Sequence, residues 1–485
     1  MFKNSLKLQS DPIRFGTDGW RGVLGVDITL ERLLSVATAA TQELAYRAPK
    51  GLSNKVIIGY DQRFLAPEFA AAISCAVRGC ELEPLISETP VTTPACSWAV
   101  VQHQAIGALV ITASHNPPEW LGLKIKGPSG CSVDSDFTQA VEHRLLAGGI
   151  TMPINGITES FNCREQHIAG LKRKFDIEKI ANGLKAMGLK VIIDYMHGSA
   201  AGCIAELFGD GSQEFLQEIR VNRDPLFGGN PPEPLSQYLG QLISSVKASS
   251  AAGTQSLGLV FDGDGDRIAA IDEQGRFCSN QLLVPLFIDH LVGVKNLPGC
   301  VIKTVSGSDL IALVAEKLGR EVIEVPVGFK FIASEMFNRD VLLGGEESGG
   351  IGFGSHIPER DALYAALVLL EAVTSIKMPL GERVNTLHDC FGKSYYDRID
   401  LRLEDNNCRV RLEELLRNSP PNSISDEIVQ EVIMIDGYKL KLGECHWLMF
   451  RFSGTEPLLR IYCEAPTPIQ VEKNLAWARQ FAVEI

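Results

Sequence analysis

The sequence predicts an α/β protein: three similar α/β domains with mainly parallel, mixed sheets, then a smaller C-terminal α+β domain, around one central cleft. Three observations predict it. The chain has 485 residues, too many for one hydrophobic core. One strand–loop–helix unit is written three times, as "KVIIGYDQRF" from Lys55, "KVIIDYMHGS" from Lys190 and "CVIKTVSGSD" from Cys300. After about Phe391 the pattern changes to a charged helix, a Pro/Ser/Asn loop and short alternating strands with glycine turns.

Each copy of the unit is a β-branched strand, a polar loop and an Ala/Leu-rich helix ending near glycine. Each is followed by a second strand with an unusual loop: "ALVITASHNPP", "LGLVFDGDGDR" and "VLLGGEESGG". The spacing is that of a small α/β domain and not of a solenoid. The expected boundaries are 1–165, 166–280, 281–390 and 391–485. Ligands bind at the carboxyl ends of strands in such sheets, so these three loops are the first places to look for chemistry. A terminal helix is expected over "TPIQVEKNLAWARQFAVE".

Composition narrows the function. The formal net charge is −13 and no long basic run occurs, which argues against a nucleic-acid partner. An anionic ligand must therefore be held by local positive groups. The opening "MFKNSLKLQSDPIRFG" lacks the apolar core of a signal peptide, and "LLVPLFIDHLVGV" is too short to span a bilayer. Twelve cysteines show no CxxC pair and no zinc spacing. A cytoplasmic enzyme without membrane or nucleic-acid partners is expected.

"FDGDGDR" alternates Asp262, Asp264 and Asp266 with Gly263 and Gly265 after a buried strand. Three carboxylates so close repel one another, and a hard divalent cation offsets that. An EF-hand is excluded, because its sixth position needs glycine and holds Arg267, and its flanks read as strands. Mg²⁺ held by few carboxylates, with room for a phosphate oxygen, is the reading; Arg267 suits the same phosphate. Ser114 ends a buried strand on a loop stiffened by two prolines. Beside a metal loop it becomes a candidate phosphoryl carrier, and His115 a candidate to orient the phosphate. Lys124 and Lys126 alternate on one face of "LKIK". Crowded by cations, such a lysine would lose its proton more easily and serve as acid or base.

Other loops supply binding groups. "GGEESGG" offers Glu346 and Ser348 to sugar hydroxyls. Lys330 in "VGFK", with His356 and Arg360 in "SHIPERD", are candidate positive groups. "FRFSGTEPLLR" combines Arg451, Ser453, Gly454, Thr455 and Arg460 in a candidate phosphate nest. "RFGTDGWRG" carries Arg14, Asp18 and Arg21 among glycines in a weaker loop of the same kind. No GxxxxGK[ST] or GxGxxG occurs, so ATP or NAD by the usual routes is not supported.

Together "FGTDGWRG", "TASHNP", "DGDGDR", "GEESGG" and "RFSGTEP" resemble, in order and over essentially the whole chain, the α-D-phosphohexomutases. The resemblance implies four domains around one cleft, the first three alike. It implies a phosphoryl group carried on Ser114, and Mg²⁺ on Asp262, Asp264, Asp266 and the Ser114 phosphate. It makes Lys124 the acid/base, "GEESGG" the sugar-reading loop, and Arg451, Ser453, Gly454, Thr455 and Arg460 the grip on the non-reacting phosphate. The implied substrates are hexose phosphates and bisphosphates. Phosphoserine gives its phosphoryl to a hexose monophosphate, glucose-1,6-bisphosphate turns over, and the other phosphate returns to Ser114.

The sugar loop ends in Gly350, where some mannose- and glucosamine-handling relatives have histidine, and this favours glucose phosphates. Arg360 stands where several relatives carry lysine; an arginine can bind phosphate but does not give up a proton. The same residues also fit a glucose-1,6-bisphosphate synthase reloaded by a bisphosphate such as fructose-1,6-bisphosphate, or a phosphomannomutase. A metal-dependent phosphatase and a silent sugar-phosphate sensor are readings from other classes; intact Ser114, the three aspartates and Lys124 argue against the sensor. Monomer and dimer stay equally open.

Overall fold

A computed structural model of the chain describes residues 9–148, 153–403, 406–452 and 458–483. These divide into two compact units, one of residues 1–278 and 349–380, the other of residues 279–348 and 381–485.

The first unit contains two mixed sheets of one design. In the first, the parallel strands Gly107–Ile111, Lys55–Tyr60, Glu83–Ser87 and Glu159–Phe161 lie side by side in that order. Trp120–Lys126 returns antiparallel beside Gly107–Ile111, and Trp20–Val23 pairs antiparallel with it at the edge. In the second sheet, Ser256–Phe261, Lys190–Asp194 and Leu216–Ile219 are parallel in the same order of roles. Ile268–Ile271 returns antiparallel beside Ser256–Phe261, with Phe277–Cys278 outside it. In each sheet the chain leaves a central parallel strand, makes one loop, and returns as its antiparallel neighbour. Those loops hold "TASHNPP" and "DGDGDR".

The strands read as unbroken apolar runs because both faces are covered. Val56, Ile58, Leu109 and Ile111 face one core with the helices Leu30–Arg47 and Ala66–Gly79. Ile57, Ala108 and Val110 face the opposite core with Ala95, Cys96 and Ala99 of the helix Thr93–Gln102. Successive side chains thus separate onto two layers of helices, as strand alternation requires. Thr29 and Thr92 start their helices by accepting the Arg32 and Ala95 amides on side-chain oxygens.

In the second unit, Val341–Gly345, Cys300–Thr304 and Val322–Val325 are parallel in that order, a third copy of the same arrangement. An antiparallel sheet follows in the order Tyr395–Arg402, Leu458–Ala465, His446–Phe452, Tyr438–Gly443 and Glu431–Ile433. The helices Asn406–Asn418 and Pro468–Val483 accompany it, and Leu412, Leu416, Leu475 and Ala478 join its core. Among the described residues no single helix is long and apolar enough to cross a membrane.

Candidate active site

The first unit brings its two return loops together. Ser114 is buried, in left-handed backbone at φ 51°, and its Oγ donates to Asp262 Oδ2 at 2.8 Å. His115 Nδ1 lies 3.3 Å from the same Oγ. The metal loop must pass close to the serine loop: a Cβ on Gly263 would sit 2.5 Å from the Ser114 carbonyl oxygen. Gly265, at φ 69°, turns where a Cβ would meet Thr92 at 2.6 Å. Both positions therefore require glycine. Thr93, at the start of its helix, donates Oγ1 to Asp264 Oδ2 at 2.5 Å.

Asp262, Asp264 and Asp266 are all buried, with carboxylate oxygens within 4.8 Å of one another. Burial, then the charges of Asp264 and Asp266, push the Asp262 carboxyl well above the ordinary carboxylate range. Asp264 Oδ1 and Asp266 Oδ1 are buried with no hydrogen-bond partner. Buried acceptor oxygens without donors are costly, and three hard carboxylates converging on one point are a donor set that Mg²⁺ relieves. The residues present therefore fit that ion.

Lys124 was expected among cations, with a proton easily lost. Its surroundings are the opposite. Its buried Nζ lies 2.8 Å from Asp18, 2.8 Å from Asp264 and 2.7 Å from Asp266. Burial works against the charged ammonium, but these three carboxylates outweigh it and hold the proton far more tightly than an ordinary lysine does. Lys126, on the same strand face, is also buried, bonding Glu359 Oε2 at 2.5 Å and Ser132 Oγ at 2.7 Å. Asp18 joins the group: it pairs with Arg360 Nη2 at 2.5 Å and accepts Ser132 Oγ at 2.9 Å. Burial opposes its charge, yet Lys124, Arg360, Lys126 and Arg21 keep it well below the usual carboxylate range.

Arg360 also reaches Asp266 at 2.8 Å, and Arg21 donates to Asn116 Oδ1 at 2.8 Å in the serine loop. Arg267 stands 3.9 Å from both Asp266 and Glu233, and its buried Nε has no hydrogen-bond partner. Arg14 is apart, paired with Glu142 and largely exposed.

His356 is a second correction. Expected as a positive group for substrate, it is a buried ring stacked on Trp98, with Nε2 2.8 Å from Asp361 Oδ2. His167 Nε2 shares that oxygen at 2.7 Å, while Asp361 Oδ1 caps the helix Ala362–Ser375. Burial lowers the His356 pKa, so the ring stays neutral and structural. A histidine whose folded pKa lies below its unfolded value takes its proton later than the unfolded chain does. It leaves stability intact above about pH 6.5 and reduces it as the pH falls toward the lowered value. The thermal midpoint is expected to drop between pH 7.5 and 5.5, and to drop less in His356→Gln; equal drops in the two proteins would refute this.

In the second unit, Arg451 and Arg460 are directly opposite on neighbouring antiparallel strands, with Asp400 opposite Arg460 on the other side. Arg451 Nε donates to Asp436 at 2.9 Å, and the Arg460 Nε is buried with no hydrogen-bond partner. Like charges so placed repel, and an anion is what would relieve them. Ser453, Gly454 and Thr455 lie outside the described residues. Glu346 is buried and Ser348 half-buried; Glu347 between them pairs with Arg398 at 3.0 Å. Lys330 rides on the helix Phe329–Asn338 over the Phe331 ring.

Sequence reasoning missed Arg63, Asp61, Thr112, Thr93, Glu359 and Arg398. For Asp61 and Arg63 a signal existed: "DQR" follows the strand Lys55–Tyr60, at the same carboxyl edge as the other two loops.

A repeated α/β scaffold that buries a serine against three carboxylates and a lysine defines a class of enzyme built for transfer of an anionic group. Family models for phosphoglucomutase/phosphomannomutase α/β/α domains I, II and III match residues 12–149, 165–275 and 279–391. The chain belongs to the α-D-phosphohexomutase family, enzymes of intramolecular phosphoryl transfer. It is 27% identical, over 95% of its length and 96% of the relative's, to a probable phosphoglucosamine mutase of Methanosphaera stadtmanae. It is 28% identical, over 95% and 96%, to a phosphoglucomutase/phosphomannomutase of Thermococcus kodakarensis. A crystal structure of a putative phosphomannomutase from Thermus thermophilus superposes with a TM-score of 0.84 at 31% identity, covering 98% of this chain and 100% of that one.

Proposed function

We propose that this phosphohexomutase interconverts glucose 1-phosphate and glucose 6-phosphate through a phosphoserine at Ser114 and a glucose-1,6-bisphosphate intermediate. The observation that carries the reading is the Ser114 Oγ set 2.8 Å from Asp262 within the buried carboxylate group. Asp262, Asp264 and Asp266, with the Ser114 phosphate, would hold Mg²⁺, which supplies charge neutralisation to the phosphoryl oxygens.

In the first transfer the Oγ–phosphorus bond of phosphoserine breaks, a bond to the sugar hydroxyl oxygen forms, and the sugar hydroxyl proton passes in net terms to the departing Ser114 Oγ. The Lys124 ammonium, 2.8 Å from Asp18, 2.8 Å from Asp264 and 2.7 Å from Asp266, would stabilise charge on the leaving oxygen. Arg267 and Arg21 face the same loops as further cations. In the second transfer Ser114 attacks the bisphosphate and its hydroxyl proton must leave. Asp262 Oδ2 already accepts that hydrogen bond, and His115 Nδ1 is 3.3 Å away. Arg451 and Arg460 would grip the phosphate that does not react, and Glu346 and Ser348 would read the sugar hydroxyls.

Relatives carry glucosamine, mannose and glucose names. The loop "GEESGG", closing on Gly350, supports glucose. A phosphorus NMR time course with glucose 1-phosphate and Mg²⁺, with and without fructose-1,6-bisphosphate, tests the proposal. Rapid conversion to glucose 6-phosphate with only trace bisphosphate is expected. Stoichiometric build-up of glucose-1,6-bisphosphate would overturn it in favour of a bisphosphate synthase. Preference for mannose or glucosamine phosphates in parallel runs would overturn the sugar assignment.

A further inference from the structure

We propose that Arg63 is a positioning residue for phosphoryl transfer, the template on which the serine loop is folded. Its side chain is 1% exposed. Nη2 donates to the carbonyls of Ser114 at 2.7 Å and Asn116 at 2.6 Å. Nη1 donates to those of Pro117 at 2.8 Å and Trp120 at 3.0 Å. One guanidinium thus satisfies four loop carbonyls, which a five-donor planar fork can do and an ammonium with three donors cannot.

The fork is itself fixed. Nε donates to Asp61 Oδ2 at 3.2 Å, and the guanidinium carbon lies 4.9 Å from the centre of the buried Phe227 ring. Asp61 Oδ2 also accepts Thr112 Oγ1 at 2.6 Å, and Thr112 Oγ1 accepts the Ser114 amide at 2.8 Å. Both backbone groups of Ser114 are therefore pinned, the carbonyl by Arg63 and the amide by Thr112. That pinning holds a non-glycine residue in left-handed backbone, a conformation that persists only where its surroundings impose it.

The same support reaches the metal loop. Arg223 Nη2 donates to the Arg63 carbonyl at 3.3 Å, and nine residues on Pro232 accepts the Gly263 amide at 3.1 Å. The segment from Arg223 to Pro232 thus braces the serine loop through Arg63 and the aspartate loop through Gly263. In-line transfer depends on placement more than on covalent chemistry, and a misplacement of about 1 Å costs on the order of 10²-fold in rate.

The inference rests on Ser114 as phosphoryl carrier, so Ser114→Ala is run beside it. Arg63→Lys and Thr112→Val are assayed on glucose 1-phosphate with Mg²⁺, with rates normalised to the folded fraction by circular dichroism. Arg63→Lys is expected to lower kcat about 10²-fold with KM little changed, and Thr112→Val to lower kcat by a smaller factor. Guanidinium added to Arg63→Ala is expected to restore part of kcat where sodium at equal ionic strength does not. Parental kcat in folded Arg63→Lys, or a change in KM alone, overturns the proposal. Should Arg63→Lys fail to fold, parental kcat in Thr112→Val overturns it instead. If Ser114→Ala keeps its turnover, the carrier reading fails whatever Arg63 does. If Ser114→Ala is inactive and Arg63→Lys is parental, only the positioning role falls.

Discussion

Ser114→Ala is expected to abolish hexose phosphate interconversion, leaving roughly 10⁻⁴ of the parental kcat or less, as loss of a covalent nucleophile does. The chain is expected to fold as before. Alanine and serine carry the same Cβ, so the left-handed backbone at this position strains both alike. The loop is shaped by Arg63 and Thr112, neither of which bonds the serine hydroxyl. Asp262 loses one donor but keeps the amides of Asp266 and Arg267 on its other oxygen. The variant should therefore show parental circular dichroism, bind no phosphoryl group at this position by mass spectrometry, and turn over no substrate. Near-parental kcat would remove Ser114 from the mechanism.

How much of this was legible in the sequence depended on how local the controlling interactions are. The three strand–loop–helix copies were legible because parallel strands buried on both faces read as continuous apolar runs, and Lys55–Tyr60, Lys190–Asp194 and Cys300–Thr304 are such runs. The aspartate loop was legible because its three carboxylates and two glycines are contiguous. Alternation correctly put Lys124 and Lys126 on one face. It carried no information on what that face meets, which is a loop some 140 residues further on and Asp18 near the start of the chain.

His356 shows the same limit. Beside Arg360 it reads as part of a positive cluster, yet its partner Asp361 is also held by His167, 194 residues earlier. Arg63 was missed for a different reason. It bonds mainly to backbone carbonyls, and a carbonyl leaves no trace in residue identity. What betrays it is position alone, at the carboxyl edge of a central strand.

Lys124→Met is expected to show that the lysine acts as a held proton and charge, and not as a base. Methionine keeps the volume and removes the ammonium, which leaves Asp264 without the cation it pairs with, and Asp18 and Asp266 with Arg360. Breaking a buried ion pair from one side costs about 3–5 kcal/mol, because the remaining charge is stranded away from water. Urea unfolding without added metal should register a loss of that order. In kcat, removal of a positioned charge that stabilises the leaving oxygen is expected to cost roughly 10²–10³-fold. A base would behave differently. Its loss would be most severe at high pH, where the parent's lysine is free to accept a proton, and would fade at low pH. A lysine that acts through its charge alone should instead leave a deficit in Lys124→Met that is flat from pH 6 to 9. Lys124→Arg separates charge from geometry: it should recover much of the stability, since it returns a cation to the three carboxylates. It should recover little of the turnover, since the larger planar guanidinium does not place its charge where the compact ammonium does. A deficit that grows with pH in Lys124→Met would restore the base role that the three carboxylates argue against.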